Sequence, residues 1–237
     1  MIKPDKSKQD SKKIQIKDMF NDISSRYDQI NKMMTLNMDK NWRKIVYKLS
    51  MKDKPSKIID IATGTGDIAL CFTNDDVEVI GVDNASMMLD IANKKTTEIP
   101  NIKFKLEDAE NMSFEDNTFD AATVGFGVRN FENLDQGLRE IKRVLKPGKK
   151  LFILETAIPS FFIFRLGYFL YTKIIVPILG RMIAKNQQAY QYLSTSAEHF
   201  PHGKEFQLIL EKAGFEDIKI KYLSLGIVNI YQASKPI

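Results

Sequence analysis

Ile58-Ile59-Asp60-Ile61-Ala62-Thr63-Gly64-Thr65-Gly66-Asp67 is the stretch that decides the fold. Ile58 to Ala62 is a short apolar run ended by a turn, the pattern of a strand buried in a parallel sheet, and Ile68 to Phe72 begins a helix beyond it. Strand, glycine turn and helix in that order make a nucleotide-binding corner, where Gly64 and Gly66 let backbone approach a ligand. By spacing alone, Gly64, Gly66 and Ala69 also satisfy the dinucleotide fingerprint, with Asp83 near the distance of a ribose acid. The carboxylates separate the two classes. A pyrophosphate needs bare N–H groups at the helix start, and Asp60 and Asp67 would repel its two negative charges. S-adenosylmethionine has no phosphate, and its ammonium and sulfonium groups are positive, so acids around the turn favour it.

Outward from the turn, strand and helix patterns alternate through Val77 to Val82, Ala85 to Lys95, Ile102 to Leu106 and Phe119 to Phe126. This is βαβ wiring and predicts a parallel sheet. Leu138, Ile141, Val144 and Leu145 mark a helix over 134–145 that Lys146-Pro147-Gly148 stops, and Leu151 to Leu154 is the next buried strand. Phe206 to Ala213 is a helix ended by Gly214; Ile218 to Tyr222 and Ile227 to Ala233 finish the sheet. Two segments stand outside the alternation: an N-terminal helical lid over 14–50 and an apolar helical insert over 157–200. Arg165, Lys173 and Arg181 cut the insert into runs shorter than the roughly 18 residues of a membrane span. It reads as an internal lid packed on the core. It reads also as an amphipathic element at a bilayer surface, since Phe161, Phe162, Phe164, Phe169 and Tyr171 interleave with cations, and both readings can hold together.

The 237 residues, 43% hydrophobic and 27% charged, suit a single α/β domain over 14–237. Residues 1–13 are expected to be a disordered basic arm rather than a signal peptide, which predicts a cytoplasmic protein, with peripheral contact at the inner face of a membrane through the insert. The net charge of +5 is spread along the chain without a zinc, helix-turn-helix or RNA-stacking signature, so no nucleic acid is expected as a partner. Cys71 stands alone and reads as a small buried hydrophobe. No residues have metal-ligand spacing, so no metal is expected; an oligomer is compatible with the sequence.

Ligands of open parallel sheets bind outside the carboxyl ends of the strands, and Asp60, Asp83 and Asp108 occupy such ends. Asp83 is placed to accept from both ribose hydroxyls; its plainer reading is a cap for the helix from Ala85. Asp108 can accept from an adenine amino group beside the small Ala109, or is simply a turn acid. Met87 and Met88 could flank the ring, but methionines on a helix are more often core.

Asp60 to Asp67, Gly81-Val82-Asp83, Asp108-Ala109-Glu110 and Phe119-Asp120 resemble the class I S-adenosylmethionine-dependent methyltransferases. Met19-Phe20, Tyr27 to Asn31, Trp42-Arg43, Gly125 to Asn130, Arg143 to Gly148, Ala189 to Leu193, Phe200-Pro201 and Ala213 to Phe215 narrow the match. From about Phe20 onward the chain resembles the ubiquinone/menaquinone biosynthesis C-methyltransferases, most specifically over Phe126 to Asn130. It departs from their pattern at Leu36-Asn37-Met38, where a Ser or Gly with a small neighbour is usual, at Lys149 and at Glu155-Thr156-Ala157. The resemblance implies a Rossmann-like fold with a mostly parallel seven-stranded sheet, helices on both faces and an added helical lid. It implies S-adenosylmethionine as cofactor and methyl transfer to a ring carbon of a polyprenyl quinol, with demethylmenaquinol first and a benzoquinol counterpart second. Cofactor contacts then fall on Thr63, Asp83, Asp108 and Ala109, with Asp60, Gly64 and Gly66 shaping the pocket.

A quinol ring carbon becomes nucleophilic when a neighbouring phenol loses its proton, so the site must favour a phenolate, align the reacting atoms and exclude water. Arg129 and Asn130, after the fourth strand, are the candidate catalytic and substrate-binding pair, with Arg129 stabilising the oxyanion. The other reading of Arg129 is a structural ion pair with Glu132 or Glu155; Gly125 and Gly127, as signs of close ligand approach, favour the first. Tyr27 and Asp28 can close over the substrate. His199 and His202 flank a turn and read as surface residues, Tyr190 and Tyr192 as packing residues, and the proton acceptor stays open. Methylation of another small or lipid acceptor, and a cofactor-binding partner of a quinone-synthesis complex without activity of its own, remain the alternatives.

Overall fold

The computed structural model describes residues 2–5, 7–159, 162–170 and 187–237. β1 (Lys57–Ile61), β2 (Glu78–Asp83), β3 (Ile102–Leu106), β4 (Phe119–Gly125), β5 (Leu145–Thr156), β6 (Glu216–Leu223) and β7 (Val228–Ser234) form one seven-stranded sheet in the order β3-β2-β1-β4-β5-β7-β6. The first five strands are parallel, and β7 runs antiparallel to both β5 and β6. Strand order reverses between β1 and β4. The crevice for a ligand therefore opens beyond Ile61 and Gly125, where the sequence puts its acids and glycines.

Helices α1 (Lys12–Met34), α2 (Asp39–Ser50), α3 (Ser86–Lys95), α4 (Leu134–Val144), α5 (Phe162–Leu170), α6 (Gln187–His199) and α7 (Lys204–Lys212) surround the sheet. On one face Ile59 and Ile61 pack with Leu138 and Ile141 of α4 and Phe206 and Leu210 of α7. On the other, Ile58 and Val79 pack with Phe72 and with Trp42 and Val46 of α2. Side chains alternate faces along a strand, so the unbroken apolar run Ile58-Ile59 feeds both cores at once. A third cluster joins Ile16, Met19 and Ile23 of α1 to Met88 of α3 and to Ala189 and Tyr192 of α6. It roofs the carboxyl ends of the strands.

Three boundaries differ from the sequence reading. After the glycine turn there is only a short 3-10 turn, Ala69–Phe72, because the Asn101 side-chain amide donates to the carbonyl oxygens of Phe72, Asp75 and Val77 and draws the chain straight back towards β2. β5 starts at Leu145 and runs through Pro147, taking up a register shift against β4 there. α1 starts at Lys12, inside the segment expected to be a disordered arm. Lys12 is only 3% exposed, and its ammonium donates to the carbonyl oxygens of Arg129 and Phe131. Phe161, Tyr171, Lys173 and Arg181 of the insert lie outside the described residues. Among the described residues no helix is long and apolar enough to cross a membrane.

Candidate active site

Between β1 and the 3-10 turn the backbone passes through three left-handed residues, Ala62 (φ 52°), Gly64 (φ 57°) and Gly66 (φ 82°). Hydrogen bonds lock the turn. Thr63 N donates to Val82 O at 2.9 Å, Gly66 N to Thr63 O at 3.0 Å, and Gly64 N to Asp83 Oδ2 at 2.8 Å. Asp83 Oδ1 accepts from Ala85 N at 2.9 Å, so this carboxylate opens α3 and braces the turn together, and burial holds its pKa above the usual carboxylate value. Three N–H groups of the turn, those of Thr63, Gly64 and Gly66, are thus already committed within the protein rather than free for a pyrophosphate.

Asp60 is 1% exposed and accepts from the hydroxyls of Thr63 (2.5 Å) and Thr123 (2.7 Å), tying the turn to β4. Burial pushes its pKa up to about 6, and the two hydroxyl donors pull it back only in part. Asp67 contributes differently from the expectation. It pairs with Lys95 at 2.9 Å and faces Arg43 at 3.5 Å, while Asp28 pairs with Lys95 at 2.6 Å and accepts from Thr65. Its charge is largely met by cations, so the preference for a positive ligand rests on Asp60 and Asp83.

Only one of the four glycines singled out faces open space. A Cβ on Gly64 would meet nothing closer than the Tyr27 ring at 3.9 Å, whereas one on Gly66 would meet Phe104 at 2.8 Å. On Gly125 it would collide with Ile68 at 2.5 Å, and on Gly127 with Ala62 Cβ at 2.6 Å. Gly125 and Gly127 also line the pocket at the strand ends, but protein packing already requires their missing side chains, so neither by itself argues for the role of Arg129.

A pocket lined by Gly64, Asp83, Asn84, Asp108, Ala109 and Asn130 follows the carboxyl ends of β1 to β4. Asp108 accepts from Glu110 N at 3.0 Å and from Lys13 Nζ at 2.6 Å, so the first turn of α1 reaches over this end. Met88 is core and also lines the pocket; Met87 is exposed. The set fits an adenosine: two carboxylates with lone pairs to spare, a small Ala109, and at Gly64 a cradle that a side chain would fill. A smaller recess continues inwards past Asp60, Thr63 and Gly64.

Beyond Tyr27 and Phe126, which line both spaces, lies a mostly apolar cavity of about 420 Å³. Its walls come from α1, α2, α5, α6 and the start of β7, with Met34, Trp42, Phe164, Leu193 and Val228 among them. Arg129 is on its wall, 9% exposed, and donates through Nη1 to Glu155 Oε1 (2.6 Å) and to Phe126 O (2.8 Å). The alternative reading of Arg129 as the ion-pair partner of Glu155 is therefore realised. Burial lowers the Arg129 pKa and Glu155 raises it, with a net rise, and among the described residues Arg129 Nε and Glu155 Oε2 keep no hydrogen-bond partner. Asn130 faces the cofactor side, and its Oδ1 accepts from Tyr192 OH at 3.2 Å. Tyr192 exceeds its reading as a packing residue, with its phenol pushed up to about 12 by burial. Burial also raises the Tyr27 pKa. His199 bonds Thr195 O, and neither histidine lines a pocket described here. Burial raises the Cys71 pKa to about 11, which keeps it a thiol. Among the described residues no three His, Cys, Asp or Glu side chains group as metal ligands.

Sequence reasoning missed Lys13 and Arg43. Arg43 bonds Asp39 and reaches Asp67, tying α2 to the glycine turn; the i,i+4 spacing of Asp39 and Arg43 is a sequence signal, but the charge pattern could not reveal Asp67 or the Asp108 partner of Lys13.

The family model described as the ubiE/COQ5 methyltransferase family matches residues 7–235. The chain is 38% identical over 239 residues to a demethylmenaquinone methyltransferase of Bacteroides fragilis, covering 99% of this chain and 97% of that one. It is 36% identical over 228 residues to the protein of the same name from Staphylococcus saprophyticus, covering 95% and 98%. In fold it is similar to a solved S-adenosylmethionine-dependent methyltransferase of Thermotoga maritima, described as a possible histamine N-methyltransferase, with TM-score 0.66, 19% identity and coverage of 92% and 99%.

Proposed function

The chain belongs to the ubiE/COQ5 methyltransferase family and is an S-adenosylmethionine-dependent methyltransferase, and we propose that its acceptor is a ring carbon of demethylmenaquinol. The observation that carries this reading is the apolar cavity of about 420 Å³ meeting the cofactor pocket at Tyr27 and Phe126. A hydrophilic amine acceptor has little use for such walls. A fused aromatic ring with a prenyl tail matches them, and the relatives are named for that substrate.

When bound, the cofactor supplies an electrophilic methyl group. The protein's part is placement and charge. Asp83 would hold the ribose hydroxyls while its bond from Gly64 N keeps the turn in place, and Asp108 and Ala109 would take the adenine edge. Asp60 contributes negative charge near the positive centre once ionised. On the acceptor side Arg129 stays cationic, fixed by Glu155, and stabilises the phenolate oxygen that raises electron density on the ring carbon. Asn130, held by Tyr192, and Tyr27 orient the ring at the junction, and α1 and α6 exclude water from it. The acceptor is lipid-soluble, so the enzyme works at a membrane surface without a spanning helix among its described residues.

Mass analysis of quinones from cells lacking this chain tests the reading. Demethylmenaquinone should accumulate at the expense of menaquinone; an unchanged pool, or accumulation of a different demethylated lipid, would overturn it.

A further inference from the structure

We propose that the turn joining α1 to α2, residues 35–38, is a membrane anchor that seats the open rim of the apolar cavity on an anionic lipid surface. The proposal rests on the lipid-soluble acceptor argued above and adds where and how the enzyme meets the bilayer.

The first observation is two leucines in the wrong place for a soluble surface. Leu36 is 70% exposed and Leu225 is 63% exposed; both line the cavity, and both hold left-handed backbone, with φ 50° and 59°. Left-handed positions strongly favour glycine or asparagine, because Cβ crowds the following carbonyl. A leucine there accepts backbone strain and gains little burial against its own chain. Such strain at two residues of one rim points to apolar contact supplied from outside. Met38 and Phe164, also exposed, complete the rim.

The second observation is charge. Lys32 and Lys40 stand four residues either side of Leu36, and Lys44 follows one helical turn, about 6 Å, along α2. All three are exposed, and none forms an ion pair among the described residues. Of the acids that line the same recess as these lysines, Asp39 is engaged by Arg43, Asp28 and Asp67 by Lys95, and Asp75 accepts from the Tyr47 hydroxyl. An apolar tip with these lysines beside it on α1 and α2 is complementary to an anionic bilayer, into which leucine and methionine insert while ammonium groups stay at the headgroups. A protein partner would seal the cavity mouth. A bilayer leaves it open to a substrate dissolved in the acyl chains.

Sedimentation of the full chain with phosphatidylcholine vesicles, with and without phosphatidylglycerol, tests this. Adsorption should require phosphatidylglycerol and fall in high salt. Lys40→Glu with Lys44→Glu should weaken it by roughly tenfold or more, since each lysine near an anionic surface counts for about fivefold. The same variant should keep its turnover of a short-tailed soluble quinol. Leu36→Asn with Leu225→Asn is the sharper arm. Asparagine suits the left-handed backbone, so Tm should hold or rise while adsorption falls severalfold. Equal adsorption to both vesicle types, or undiminished adsorption of either variant, would overturn the proposal. Loss of quinol turnover in solution with vesicle adsorption intact would instead refute the acceptor reading and leave the docking surface standing.

Discussion

At the residue scale the decisive group is Asp60. Its folded pKa of about 6 lies above the ordinary 3.8, so the folded protein binds a proton there more tightly than the unfolded chain. Stability linked to this group is complete below about pH 4 and is lost as pH rises through about 6, a cost on the order of 3 kcal/mol. Asp60→Asn should therefore gain stability relative to the native chain between about pH 4 and pH 7, by that order, in paired denaturant titrations. A difference that stays flat with pH would contradict the burial argument. In cofactor titrations the native chain should bind more weakly below about pH 6 than above it, and Asp60→Asn should lack that dependence. Arg129 raises a separate issue. Removing it alone would strand the buried Glu155, so Arg129→Met is best combined with Glu155→Gln. That pair should lower kcat on the order of a hundredfold while leaving cofactor affinity within about twofold, measured by quinol turnover and calorimetry.

At the scale of elements, the glycine turn and the alternating strands were legible in the sequence, because Ile58 to Ala62, Val77 to Val82 and Phe119 to Phe126 are mostly apolar and separated by turn and helix patterns; that the last two strands finish the sheet was legible too, but not that β7 runs antiparallel to its neighbours. What escaped depended on partners distant in sequence. The helix after Gly66 is cut short by Asn101, and α1 begins early because Lys12 serves two carbonyls 117 and 119 residues away. Asp83 and Asp108 were legible from their strand ends, and the structure puts both on the lining of the pocket there. The Lys13 partner of Asp108 was not, nor was the difference between Gly64 and Gly127. That difference is testable. Gly127→Ala should cost about 1–3 kcal/mol of stability, since its Cβ would meet Ala62 at 2.6 Å, read by denaturant unfolding. Full stability in that variant would mean that β4 and the turn do not pack as described.

At the scale of the whole molecule, two spaces of unlike chemistry share one boundary. Asp83, with Asp60 lining the recess behind it, suits the inner space to a cationic nucleoside, and the roof of α1, α2, α5 and α6 makes the outer one apolar. Tyr27 and Phe126 belong to both, so a methyl group presented from one side meets a ring presented from the other. The most direct measurement of that arrangement uses purified protein, S-adenosylmethionine labelled in its methyl group, and reduced demethylmenaquinone. The label should appear on the quinol ring carbon, giving menaquinol by mass and fragmentation, and should fail to appear with the oxidised quinone. Transfer to another lipid only, or none to the reduced quinol, would contradict the account.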